Sequence, residues 1–190
     1  MAEGPVTYVR HAMPVPVEGV HPTQWELDEE GRRAARELAD RLEEGPGIAV
    51  LVTSAEPKAL ATAEEIGRRW GVEPRVDQRL VEVVRPWVGA GYRAVAHRYL
   101  RGEQPEGWED DEQVAARVAA AVREATETAA GKGVVCVSHG LALSVHLGDR
   151  LGPGFDREQL WGALAFPDAW VLDERGLLHR AGARSSAASG

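Results

Sequence analysis

Cysteine is almost absent from this sequence. The single thiol, Cys136, lies inside the apolar run Val134-Val135-Cys136-Val137, so no internal disulfide can form and the residue is expected to be a small core side chain. Long hydrophobic runs are also missing: none approaches membrane-spanning length, and the N-terminus lacks the basic-then-apolar pattern of a secretory signal. Nor is there an excess of positive charge. With 22 Lys and Arg against 30 Asp and Glu, the formal net charge is −8, which argues against nucleic acid or an anionic membrane surface as the main partner. A soluble, cytoplasmic protein is the expectation, and an anionic small molecule would need a local cationic pocket. Several short chemical signatures are absent too. There is no His-x-x-x-His pair, no Cys-x-x-Cys, no Gly-rich Walker loop and no Gly-x-Ser-x-Gly elbow. No metal and no cofactor is expected.

What is present is ordinary globular composition, 44% hydrophobic and 27% charged over 190 residues, enough apolar material for one domain. We expect that domain over residues 1–183, followed by a flexible tail at 184–190. Strand and helix patterns alternate. The run Val6-Thr7-Tyr8-Val9 is followed by a Pro-rich, non-helical stretch over 13–23. Ala34, Ala35, Leu38 and Leu42 recur at helical spacing within 28–43, and Gly45-Pro46-Gly47 stops that helix. Ile48-Ala49-Val50-Leu51-Val52 reads as a buried strand. Thr53-Ser54 offers an N-cap and Pro57 suits a first turn, so a helix is expected to start near Ala55 or Glu56 and end near Trp70-Gly71. A short extended piece over 73–76, helices over 91–101 and 109–130, the apolar run at 134–137 and a helix over 141–151 follow. The last forty residues, including Ala163-Leu164-Ala165-Phe166 and Trp170-Val171-Leu172, read as a strand-rich, partly antiparallel end to the sheet. The expected fold class is α/β, a three-layer α/β/α sandwich with a mostly parallel central sheet.

Two of the apolar runs end on a histidine: one enters Arg10-His11-Ala12, the other Ser138-His139-Gly140. On parallel strands of one sheet, both histidines leave the carboxyl edge, where open α/β sheets bind ligands. A neutral imidazole is a competent nucleophile near pH 7, and a neighbouring guanidinium can fork two phosphate oxygens. Gly140 would allow close backbone approach, with the amides of the next helix aimed at an anion.

Arg10-His11-Ala12 resembles the Arg-His-Gly signature of the histidine phosphatase superfamily, the group that includes cofactor-dependent phosphoglycerate mutase. Ser54-Ala55-Glu56-Pro57-Lys58-Ala59-Leu60-Ala61-Thr62-Ala63 is similar to its Ser-x-x-x-Arg-Ala-x-x-Thr-Ala element. Asp77-Gln78-Arg79-Leu80-Val81-Glu82 is similar to its Leu-x-Glu element, and Ser138-His139-Gly140 to its late His-Gly. These matches occur in family order over roughly residues 5–150. The resemblance implies a phosphoglycerate mutase-like fold, His11 as the phospho-accepting nucleophile, Arg10, Lys58 and His139 around the phosphoryl group, and Glu82 as the acid that protonates the leaving oxygen. Two positions depart from the pattern. Ala12 stands for the usual glycine, and Lys58 for the usual arginine, keeping the charge but losing the planar fork.

The segment at about 83–108 occupies the place of a lid in such proteins. Arg93, His97 and Arg101 recur every four residues there, with Arg85 just upstream. That stripe either faces the pocket and binds a second anionic group or is a solvated basic face. The implied activity is hydrolysis of a small phosphomonoester, since the short segment after Glu82 leaves little material to shield a phosphohistidine from water. A mutase-type phosphotransferase and a non-catalytic phosphoryl-binding protein are the alternatives. The implied partner is a phosphorylated small molecule. His21, His146 and His179 are expected to be surface or core residues.

Overall fold

The computed structural model describes residues 4–42 and 47–181. The expected helix stop at Gly45-Pro46 and the expected tail at 184–190 lie outside the described residues.

Six strands form one sheet in the order β3-β2-β4-β1-β5-β6. β1 (Val6–Arg10), β2 (Ile48–Thr53), β3 (Pro74–Val76) and β4 (Gly133–Ser138) run parallel, while β5 (Asp168–Leu172) and β6 (Leu178–Arg180) complete the sheet antiparallel. The continuous apolar runs of β2 and β4 follow from burial on both faces. Alternate residues sort between two clusters. Tyr8, Val50, Val52, Val134 and Cys136 face one core, which they share with α3 (Tyr92–Leu100), α4 (Asp111–Ala129) and α5 (Gly140–Leu151). Val9, Leu51, Val135 and Val137 face the other, packed on α1 (Glu29–Arg41) and α2 (Pro57–Trp70). Helices therefore cover both faces, giving the three-layer α/β architecture expected from the alternation.

Element ends follow local chemistry. Asp28 caps α1 by accepting from Gly31 N (2.8 Å), and Gly71 ends α2 at φ +66°, the left-handed conformation that glycine adopts without strain. Two expectations are corrected. Ala163-Leu164-Ala165-Phe166 is not a strand: α6 (Arg157–Ala163) ends there, started by Asp156 accepting from Gln159 N (2.9 Å), and β5 begins only at Asp168. With seven residues and two buried side chains, Leu160 and Trp161, α6 is too short to show a helical period. At α2 the N-cap is Glu56 rather than Thr53 or Ser54, and its side chain makes no capping bond to the helix.

The register fixes where the chemistry falls. Arg10 lies opposite Ser138, and the ladder continues one residue further as His11 N donates to Ser138 O (3.1 Å). Ser54 N donates to Val137 O (2.9 Å) and Asp77 N to Thr53 O (2.8 Å). All four parallel strands thus end level, and their next few residues share one edge.

Candidate active site

Each strand end delivers one part of the site. β1 releases Arg10 and His11, β2 releases Ser54, Glu56 and Lys58, β3 leads to Glu82, and β4 releases His139 at the start of α5. All of these but Ser54, which is buried behind His139, line one cavity of about 230 Å³, together with loop residues around Trp25 and Trp87.

His11 is 5% exposed. Its Nδ1 donates to Ala12 O (2.7 Å), which fixes the tautomer and leaves Nε2 with a free lone pair. Burial, with Lys58 and Arg10 nearby, lowers its pKa to about 3, so the ring is neutral near pH 7. His139 is fully buried, its ring centroid 5.0 Å from that of His11. Burial pushes its pKa well down, helped by His11 and Lys58. Its Nε2 is 2.8 Å from Ser54 Oγ and 3.4 Å from Glu56 Oε1, while its Nδ1 is buried without a hydrogen-bond partner.

Arg10 is clamped from three sides. Its Nη1 donates to Leu164 O (2.7 Å), and its Cζ lies 3.3 Å from the centre of the Phe166 ring. Gly140 closes the third side, where a Cβ would come within 3.2 Å of Arg10 Cζ and Nε. Burial brings the guanidinium pKa down to about 10, which leaves it charged at neutral pH, and its Nε is buried without a partner.

Lys58 and Glu56 form a buried ion pair, 5% and 6% exposed. Lys58 Nζ also donates to Pro22 O (2.8 Å), tying α2 to the Pro-rich loop. Glu56 Oε1 accepts from Glu82 N (2.8 Å), and burial raises the pKa of this carboxyl against the opposing pull of Lys58. Glu82 sits over the first turn of α5. Its Oε1 accepts from Ala142 N (2.9 Å) and Val83 N (3.0 Å), its Oε2 from Leu141 N (3.3 Å). The two α5 amides are among the donors that a helix N-terminus leaves unpaired.

The structure therefore brings together Arg10, His11, Lys58, Glu82 and His139. The basic stripe behaves otherwise. Arg85 lines the cavity, its Cζ 4.1 Å from the Tyr92 ring centre. Arg101 pairs with Glu158 on α6 (3.0 Å), as does His97 (2.8 Å), and Arg93 Cζ lies 5.4 Å from the Trp161 ring centre. Arg93 and Arg101 thus face α6 and not the cavity. The methyl of Ala12 also points away from the chemistry, into a small cluster with Leu27, Ala35 and Ala61.

Sequence reasoning passed over two residues. Glu56 stood inside a motif read only for its Ser, Lys and Thr. Arg117, on α4, has no local signal at all: its Nη1 donates to Arg79 O and Val81 O (both 2.7 Å) and its Nη2 to Glu82 O (3.3 Å), fastening the loop that carries Glu82. His146 is a buried partner of Tyr8 (3.2 Å), and His21 bonds Thr23 (2.8 Å). Among the described residues, no three His, Cys, Asp or Glu side chains are grouped to hold a metal ion, and no helix is long and apolar enough to cross a membrane.

Residues 7–164 match the model of the histidine phosphatase superfamily (branch 1). Solved structures with the same fold include mycobacterial glucosyl-3-phosphoglycerate phosphatase with inorganic phosphate, at 26% identity and TM-score 0.66, covering 88% of this chain and 89% of that one. A mutant phosphoserine phosphatase from Entamoeba histolytica bound to phosphoserine aligns at 17% identity and TM-score 0.69, over 93% and 94% of the two chains. Phosphoglycerate mutase from Bacillus anthracis aligns at 17% identity and TM-score 0.64, over 94% and 92%. No curated protein sequence matches the chain.

Proposed function

The chain belongs to the histidine phosphatase superfamily, and on that premise we propose that it hydrolyses a small phosphomonoester through a phosphohistidine at His11. One feature supports this above the others. A neutral imidazole with its Nε2 lone pair free lines a cavity that Arg10, Lys58, Glu82 and His139 also line. A phosphoryl group seated against His11 would lie beside the Arg10 guanidinium and the Lys58 amino group, which can hold its oxygens.

In the first step His11 Nε2 attacks phosphorus in line with the ester oxygen. Arg10 and Lys58 hold the equatorial oxygens, and Glu82 gives the departing alcohol its proton. In the second, water attacks the phosphohistidine, Glu82 takes the water's proton, and phosphate leaves with His11 neutral again. Lys58 reaches phosphate only by sharing its charge between the substrate and Glu56, so Glu56 sets the position of that ammonium. Water as the acceptor agrees with an open mouth: Trp87, at the rim, is 54% exposed.

p-Nitrophenyl phosphate and a panel of phosphorylated metabolites test the proposal. His11→Ala is expected to lower kcat/KM by about 10⁴-fold or more, the scale for losing a nucleophile. Equal turnover by wild type and His11→Ala would remove His11 as the nucleophile, and no turnover by wild type on any compound would leave a phosphoryl-binding protein without catalysis.

A further inference from the structure

The floor of the cavity is polar, but the walls leading out of it are not. Trp25 and Trp87 meet edge to face at the mouth, ring centroids 5.8 Å apart. Met13, Pro16, Val83 and Tyr92 continue the lining inward toward Phe166, which stacks on Arg10 beside His11. Met13 is 53% exposed and Trp87 54% exposed, although both are large apolar side chains. Exposed apolar surface continuous with a polar floor is the usual build of a small-molecule site, in which a few polar groups orient the ligand and the walls bury the rest.

The polar side chains of this outer region are few. His21 and Thr23 bond each other, and Arg85 is held over Tyr92. A substrate with a carboxylate or several hydroxyls a few bonds from phosphorus would lose their hydration against tryptophan and proline, with only Arg85 and the mutually bonded His21 and Thr23 to replace it. A planar apolar group would instead meet aromatic faces and edges from two walls. The cavity, at about 230 Å³, is smaller than the ~300–1,000 Å³ of sites that enclose drug-sized ligands. It suits a phosphoryl group and one ring, with further bulk outside.

We propose that the alcohol half of the substrate is aromatic or otherwise flat and apolar, and that the Trp25–Trp87 rim selects it. The proposal rests on the phosphoryl site assigned above. It departs from the glucosylphosphoglycerate, phosphoserine and phosphoglycerate handled by the structural neighbours.

Phosphonates test it without turnover. Titration calorimetry compares 3-phenylpropylphosphonate, propylphosphonate and 2-carboxyethylphosphonate, which share one head group. Wild type is expected to bind the phenyl compound about tenfold more tightly than propylphosphonate, about 1.4 kcal/mol, and the carboxylate compound no more tightly than propylphosphonate. Trp87→Ala is expected to bring the first two within about twofold. Equal affinities in wild type, tightest binding of the carboxylate, binding of none, or a phenyl preference that survives in Trp87→Ala overturns the proposal. The wild-type ranking decides it even if that variant fails to fold. Hydrolysis of 2-phenylethyl phosphate, with the His11→Ala control, is read separately. Its absence removes catalysis while the phosphonate ranking still tests the rim.

Discussion

The floor of the cavity is made by four strand ends, and its rim by loops. Parallel pairing sets Arg10, His11, Ser54 and His139 at one level, the start of α2 brings Lys58 to the floor, and the loop after β3 brings Glu82. Almost every polar atom there is tied to another: Glu56 to Lys58 and to Glu82 N, Glu82 to the first turn of α5. The rim has few such ties. Trp25 donates to Val20 O (3.0 Å), Trp87 touches Trp25 edge to face, and both lie on segments without regular structure. The difference separates two jobs. A floor held by sheet register can orient a phosphoryl group closely, whereas a rim built on loops can vary in what it accepts without disturbing the floor.

The contrast breaks most visibly at Lys58. Lys58→Met is expected to lower kcat/KM by about 10²–10³-fold, as for loss of a charge that faces the transition state, and to destabilise the fold by about 3–5 kcal/mol, because Glu56 is left buried and unpaired. Glu56→Gln with Lys58→Met should restore most of the stability and none of the activity. Denaturant melts and steady-state kinetics on wild type and the two variants check this. Recovery of activity in the double variant would show that Lys58 serves Glu56 and not phosphate. The rim comes next in size, with the roughly tenfold loss of aromatic preference expected of Trp87→Ala.

Protonation gives a third separation. Burial holds His11 neutral, with a pKa of about 3 against an ordinary 6.5. His146, also buried, is lowered to about 4. NMR of the His11 ring should therefore show no titration between pH 5 and 8, and one near 6.5 would contradict the buried, neutral nucleophile. The sign for stability follows. The unfolded chain takes up protons at these histidines below about pH 6.5 while the folded chain does not, so their contribution to stability is intact above 6.5 and declines as pH falls toward 4 and then 3. The smallest effect is expected where the basic stripe turns away. Arg93→Ala with Arg101→Ala should change KM for any phosphomonoester by less than about twofold, as is usual for surface substitutions away from a site.

Three residues of the floor were legible in the sequence because each stands next to a strand or helix signal: His11 after Val6-Thr7-Tyr8-Val9, Lys58 one residue after Pro57, His139 before Gly140. Glu82 came only from the resemblance, and Glu56 was passed over. Strand period and sheet topology then converge those three without knowledge of any side-chain contact. The rest depends on reach. Arg117 fastens Glu82 from another helix, and Trp25 meets Trp87 from a separate loop. No local pattern encodes either. The stripe of Arg93, His97 and Arg101 shows the reverse failure: spacing gave one face correctly but not what it meets, which is Glu158 and Trp161 on α6, a helix too short to be seen.

Rapid quenching in base during turnover of a phosphomonoester, followed by peptide mass spectrometry, addresses the nucleophile itself. A base-stable, acid-labile phosphate is expected on the peptide that carries His11, and none in His11→Ala. Phosphate on any other residue, or turnover with no phosphorylated peptide at all under single-turnover sampling, would contradict His11 as the group that accepts it.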